Sequence, residues 1–219
     1  MTDKMRDSNR TSRAPFVAFI VVFLVVTISV SITATVVTFI LPESYASTAR
    51  IRVTQDQPSD IVQSNQIFTA TTCELIKSAV VLNPVIEKLN LNESWGKKYF
   101  NGERLKTAES LEILKPRLEL APVRNTMLIS ITVYSDDKIE AAQIANEIAD
   151  SYRTYRLQNG SLSLPESLVQ VIDPARPGLA PVKPNKPLNI ALGMLFGGVI
   201  GALLGGIAAL MTSKTGSKA

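Results

Sequence analysis

The sequence predicts an α+β fold: one small sheet with helices packed on one face, framed by two transmembrane helices. Three observations predict it. Two uncharged apolar runs, Phe16–Leu41 and Leu188–Met211, stand near the ends of a 219-residue chain, and each is long enough to cross a hydrocarbon core of about 30 Å. Between them, apolar residues alternate as in strands at Tyr45–Thr54 and Ile129–Tyr134, and recur at steps of three and four in the segments between, as in helices. A proline-rich stretch then joins the last strand to the second run. The chain therefore divides into a cytoplasmic tail (1–15), a first span (16–41), an extracytoplasmic α+β domain (42–173), a Pro-rich strut (174–187), a second span (188–211) and a second cytoplasmic tail (212–219).

The first span follows a tail carrying Lys4, Arg6, Arg10 and Arg13, which also suits a cleaved signal peptide. A signal peptide's apolar region is only about 7–15 residues long, so an uncleaved anchor is expected. The second span is followed by Lys214 and Lys218. Positive residues at the outer ends of both helices place both termini in the cytoplasm and the middle domain on the far side. Within the second span Gly193, Gly197, Gly201 and Gly205 recur every fourth residue, flanked by Gly198 and Gly206. A small-residue face lets another helix approach closely, so it predicts packing against Phe16–Leu41 or between protomers.

In the middle domain, Ala49, Ile51 and Val53 alternate with Arg50, Arg52 and Thr54, giving a strand with one wet face. Phe68, Thr72, Leu75, Ala79 and Leu82 form one helical stripe. Asn83 and Pro84 are expected to break it and restart a short helix carrying Val85, Ile86 and Leu89. Trp95–Gly102 shows no clear period and is expected to be loop, whereas Arg104–Leu114 reads as a surface helix with Leu105, Ala108 and Leu111 inward. Ile129, Ile131 and Val133 define the clearest strand. Asp137 and Glu140 after it have the spacing of a capping box for a helix carrying Ile144, Ile148, Tyr152 and Tyr155. Val169 and Val171, set against Leu168, Gln170 and Ile172, suggest a third main strand. Five prolines then recur at spacings of three or four from Pro174 to Pro187. They predict a semi-rigid, polyproline-like strut in which Pro181, Pro184 and Pro187 brace the domain at the membrane.

Composition excludes several function classes. The segment 42–187 holds 17 Lys+Arg and 17 Asp+Glu, so the net charge of +4 comes from the tails. That is not the footprint of a nucleic-acid binder. Histidine is absent, which removes Ser-His-Asp and Cys-His catalysis and the usual imidazole ligands of zinc. Cys73 is the single cysteine, so no intramolecular disulfide forms, and its neighbours Leu75 and Ile76 suggest burial. No catalytic, cofactor-binding or metal residue is assigned. Arg50, Arg52 and Arg124 could meet acidic glycan or lipid phosphate, although solvated surface charge is the commoner role for such residues.

The order of these parts resembles the polysaccharide co-polymerases, or Wzz-type chain-length determinants. The resemblance is carried by Tyr45-Ala-Ser-Thr-Ala-Arg-Ile-Arg-Val after the first span, Pro84-Val-Ile-Glu-Lys-Leu-Asn-Leu, and Asn125-Thr-Met-Leu-Ile-Ser-Ile-Thr-Val-Tyr-Ser-Asp-Asp. Ala141-Ala-Gln-Ile-Ala-Asn-Glu-Ile-Ala-Asp-Ser-Tyr and Val182-Lys-Pro-Asn-Lys-Pro-Leu-Asn-Ile-Ala-Leu-Gly complete it. It implies a bacterial inner-membrane protein that performs no chemistry. Such a protein forms a homo-oligomeric ring and works with a polymerase on a lipid-linked glycan to set the length or export of an O-antigen, capsule or exopolysaccharide. Larger members insert a long helical protrusion after the position of Tyr155, where this chain has only Gln158–Pro165, so the resemblance is to the short form. The alternative function is a membrane adaptor or sensor that activates a separate cytoplasmic tyrosine kinase; the eight-residue tail 212–219, with no tyrosine, counts against it. A membrane-anchored envelope enzyme using carboxylates alone is the remaining class.

Overall fold

The computed structural model describes residues 3–54, 62–124, 126–159 and 169–216. They form two compact units: residues 1–42 with 183–219, and residues 43–182. The first unit is a pair of long helices, α1 (Asp3–Ile40) and α7 (Lys186–Gly216). Pro15–Ile40 and Lys186–Lys214 within them are long and apolar enough to cross a membrane.

The second unit is α+β. Its sheet is four-stranded and antiparallel throughout, in the order β2–β3–β1–β4, from β1 (Tyr45–Val53), β2 (Leu118–Pro122), β3 (Leu128–Ser135) and β4 (Val169–Asp173). β1 pairs with β3 from Tyr45↔Ser135 to Arg52↔Leu128. On its other side β1 meets β4, where the register slips at Arg50/Ile51 and leaves Ile172 unmatched. The period of two decides which face is covered. Ala49, Ile51 and Val53 of β1 and Ile129, Ile131 and Val133 of β3 are completely buried, while Thr48, Arg50, Arg52, Ser130 and Thr132 lie on the open face. Thr48 and Thr132 join hydroxyls there at 2.8 Å.

The covered face packs against α6 (Lys138–Asn159), whose Ile144, Ala145, Ile148, Ala149 and Tyr152 are buried at helical spacing. α2 (Val62–Ile76), α3 (Ala79–Lys88), α4 (Leu91–Tyr99) and α5 (Thr107–Leu114) complete the helical side. Cys73 is buried, and that burial pushes its thiol pKa up. Leu168 and residues 160–165 lie outside the described residues.

Four local expectations are corrected. The Phe68–Leu82 stripe is interrupted at Lys77–Ser78, where Ser78 takes an extended conformation and its hydroxyl donates to the Leu75 carbonyl at 2.6 Å. Pro84 sits inside α3 instead of starting it: the hydrogen bond it cannot make falls on the carbonyl of Val80, a residue on the exposed side of the helix. Trp95 belongs to α4 and is not in a loop. Burial of Leu91, Asn92, Trp95 and Gly96 selects one helical face, and a Cβ at Gly96 would collide with the Glu103 carbonyl. α5 begins at Thr107, with its first turn closed by the Lys106 N–H donating to Glu109 at 2.8 Å; that start turns Ser110 and Leu114 inward and leaves Ala108 exposed. Three or four strands are expected from the sequence and three of them are located by alternation; β2 is the fourth.

Candidate functional site

Three constructions stand out, and the first is the glycine stripe of α7. Gly193, Gly197, Gly201 and Gly205 are all buried against α1. A Cβ at Gly193 would lie 2.5 Å from the Ala34 Cβ, one at Gly197 3.1 Å from the Thr27 carbonyl oxygen, and those at Gly201 and Gly205 2.9 Å from the carbonyl oxygens of Phe23 and Phe19. The partners descend along α1 as the glycines ascend along α7, so the helices are antiparallel and touch backbone to backbone. Thr27 adds a cross-helix bond from its hydroxyl to the Gly197 carbonyl at 3.2 Å. Phe19 and Phe23 stack at 6.0 Å beside the lowest two contacts. In hydrocarbon, contacts of this kind and a few hydrogen bonds are what hold helices together. Gly198 and Gly206 face open space on another side of α7.

The second construction is the return segment. Asn146 of α6 holds the Ala175 peptide from both sides: its amide donates to the Ala175 carbonyl at 3.0 Å and its Oδ1 accepts the Ala175 N–H at 2.8 Å. Seven residues on, the Val182 N–H donates to the Ser44 carbonyl at 2.8 Å. Between these anchors Gly178 packs so closely on the Ala46 carbonyl that a Cβ would lie 2.9 Å from its oxygen. The segment 174–187 is divided between the two units: residues up to Val182 go with the α+β unit, Lys183 onward with the helix pair. Pro181 and Pro184 are half-buried, and the Lys183–Pro184 peptide is cis. Pro187 stands in the first turn of α7, where a missing N–H costs nothing, and so is helical instead of part of an extended strut.

The third construction is an aromatic–acid cluster that periodicity did not suggest. The fully buried Trp95 donates its indole N–H to Glu140 Oε1 at 2.9 Å, and Ser135 donates its hydroxyl to the same oxygen at 3.0 Å. Glu140 therefore faces Trp95 instead of closing a capping box; Asp137 alone caps α6, accepting the Ile139 N–H at 2.8 Å. Beside it Lys98 and Tyr99 both donate to Asp136, at 2.5 and 3.1 Å. The Arg117 guanidinium lies about 5 Å from both the Trp95 and Tyr99 ring centres, at 5.1 and 5.0 Å. Partial burial works to raise the Asp136 pKa, but the hydrogen bonds from Lys98 and Tyr99 outweigh it and hold the carboxyl below its ordinary value. Desolvation likewise opposes the charge on Lys98, and the Asp136 hydrogen bond with the nearby Glu140 charge reverses it, raising the ammonium.

These groups are engaged with one another, as in a structural hub. Among the described residues no group of three or more His, Cys, Asp or Glu side chains is placed to hold a metal. Arg50 lies 3.8 Å from Asp173 and Arg52 donates to Gln170 at 2.5 Å, so both side chains of the open face have protein partners; Arg124 is exposed. Asn146 has no part in the sequence reading and Glu140 a different one; each left one faint signal, a polar residue on the inward half of an otherwise Ala- and Ile-lined helix and a carboxylate in its first turn.

The fold and site define a class: an α+β unit carried between two antiparallel apolar helices that are long enough to span a membrane. Residues 16–89, about a third of the chain, match the family model Wzz, chain length determinant protein. That stretch contains the first span, β1, α2 and α3. No curated protein matches the chain. The family's role is polysaccharide chain length determination, and its members are regulators, not enzymes.

Proposed function

We propose that the chain is a non-enzymatic scaffold of the bacterial inner membrane that regulates the chain length or export of a surface polysaccharide, by oligomerising and working with a polymerase on a lipid-linked glycan. The observation that carries this reading is the chain-length-determinant match over residues 16–89, which runs from the first span into the α+β unit. The charge pattern supports the orientation: Lys4, Arg6, Arg10 and Arg13 before the first span and Lys214 and Lys218 after the second put both termini in the cytoplasm. The α+β unit then stands outside, attached by both of its ends. The glycine stripe joins those two attachments within one protomer, so that contacts between protomers fall to the other faces of α7 and to the α+β unit.

Chromosomal deletion, followed by gel separation of the surface glycans, tests the reading. The expected outcome is loss of the modal length of one glycan, restored by the wild-type gene. Unaltered distributions of every surface glycan would overturn it.

A further inference from the structure

Leu179 is the most exposed large apolar residue of the described chain, with the full accessibility of an unfolded side chain. Such exposure in a mobile tail would mean little. Here the backbone around it is held: Ala175 is clasped on both sides by Asn146, Gly178 lies against the Ala46 carbonyl, and the Val182 N–H is bonded to Ser44. A short arch, Arg176-Pro-Gly-Leu-Ala-Pro181, is thus pinned at both feet with Leu179 at its outer edge.

Chain connectivity limits where that edge can be. Val182 is four residues before α7 begins at Lys186, and its partner Ser44 is four residues after α1 ends at Ile40. Leu179 is three residues from Val182, at most about 10 Å of chain. Charge points the same way. Arg176 is exposed, Lys183 and Lys186 follow, and no acidic residue occurs after Asp173; Glu43 is the single acid beside the other foot. An apolar tip flanked by cations is the composition of a segment that lies in a bilayer's headgroup layer, where the side chain reaches the acyl boundary and the cations meet lipid phosphates.

We infer that the 176–181 arch is an interfacial anchor: Leu179 inserts into the outer-leaflet boundary of the same bilayer the helices cross, with Arg176 on anionic headgroups. The inference rests on the spanning orientation proposed above. It gives the α+β unit a third attachment beside its two covalent ones.

The test uses the full chain with Cys73→Ser, reconstituted in bilayers of phosphatidylethanolamine and phosphatidylglycerol. A polarity-sensitive fluorophore is placed at Leu179→Cys, at Leu203→Cys in the second span, and at Leu157→Cys on α6. The expected result is a blue-shifted emission at 179 that is quenched by lipids brominated near the headgroup and protected from aqueous iodide, with position 157 showing the reverse. The anchor also predicts that Leu179→Asp with Arg176→Glu lets a probe at 157 tumble more freely. Iodide quenching at 179 while 203 remains quenched by lipid would overturn the anchor alone. Loss of lipid quenching at 203 would overturn the spanning reading itself. Disulfide capture of 179 by the same position in a second copy, without lipid quenching, would assign Leu179 to a protomer contact and also overturn the anchor. Should Cys73→Ser fail to fold, Leu179→Trp in the wild-type chain gives the same quenching readout, with the buried Trp95 as its unquenched reference.

Discussion

The two units of this chain solve the packing problem with opposite residues. In the α+β unit the tightest contacts are made by the largest side chains: Trp95, Tyr152, Ile51, Ile131 and Ile148 are all essentially inaccessible. In the helix pair the tightest contacts are made by residues with no side chain at all, Gly197, Gly201 and Gly205, against the backbone of α1. The large apolar residues of α7, such as Leu203, Phe196 and Leu210, point away from the pair. Removing Ile or Trp surface from water is what stabilises the first unit, at about 25 cal/mol per Å². Hydrocarbon offers no such gain, because Leu is as well solvated by lipid as by another helix, so close approach is what remains. Under the spanning reading proposed above, one chain answers to two solvents.

The comparison can be broken from either side. The largest effect is expected from emptying the water-soluble core: Ile131→Ala should destabilise the α+β unit by about 4 kcal/mol, seen as a lower denaturant midpoint for Trp95 fluorescence, with the helix pair unaffected. Gly201→Leu should do the converse at a cost of about 3 kcal/mol, since a Cβ already meets the Phe23 carbonyl oxygen and Thr27 Oγ1 at 2.9 Å. Distances between spin labels on α1 and α7 should lengthen while the Trp95 transition stays put; a transition that moves would show the units to be one cooperative block. Gly198→Leu is its control, because nothing lies within 4 Å there.

Smaller changes sharpen the picture. Trp95→Phe removes the indole donor to Glu140 and should cost about 2 kcal/mol, whereas Glu140→Gln should cost less because an amide oxygen still accepts from Trp95. Asn146→Ala should cost about 1 kcal/mol and act locally: amide exchange at Ala175 should accelerate while exchange in β3 does not.

The smallest effect is the pH response of the Lys98–Asp136 pair. The Asp136 pKa is lowered in the fold, so its contribution is complete above its unfolded value of about 3.9 and is lost as pH falls through the lower folded value. The Lys98 pKa is raised, so its contribution is complete below about 10.4 and is lost as pH rises through the higher folded value. Stability from this pair should therefore be flat between about pH 5 and 9, and, with both side chains over a third exposed, worth less than about 1 kcal/mol. A Lys98→Met variant should lie below the wild type by that small amount across the plateau and converge with it at strongly acid and strongly alkaline pH, as read from denaturant midpoints.

Particular elements show what could be read in advance. β1 and β3 were legible because a strand buried on one face writes its burial as strict alternation, and Ile129-Ser-Ile-Thr-Val133 does so without exception. α6 was legible by the same logic at a period of 3.6. β2 was not: Leu118–Pro122 is short, lies at the sheet edge and buries only Leu118 fully, so its pairing with β3 is a long-range fact. α4 was hidden because Gly96 and Asn92 lie on its buried face, where a helical pattern would show apolar side chains. Pro84 was not legible as an interior residue of α3, because proline usually breaks a helix and only the exposed Val80 carbonyl lets it stand there.

What the sequence by itself determined is whatever depends on the solvent a residue meets: two apolar runs of membrane length, the alternation of the central strands, the stripe of α6, and the presence of a glycine face. These follow from composition and period alone, because transfer from water is additive along the chain. Only the tertiary structure decided which partner each face receives. It set Gly193, Gly197, Gly201 and Gly205 on α1 instead of leaving them free, turned Glu140 toward Trp95, closed Asn146 around Ala175 and left Leu179 outside. Those choices depend on distances between residues far apart in the chain, and a local pattern carries no record of them.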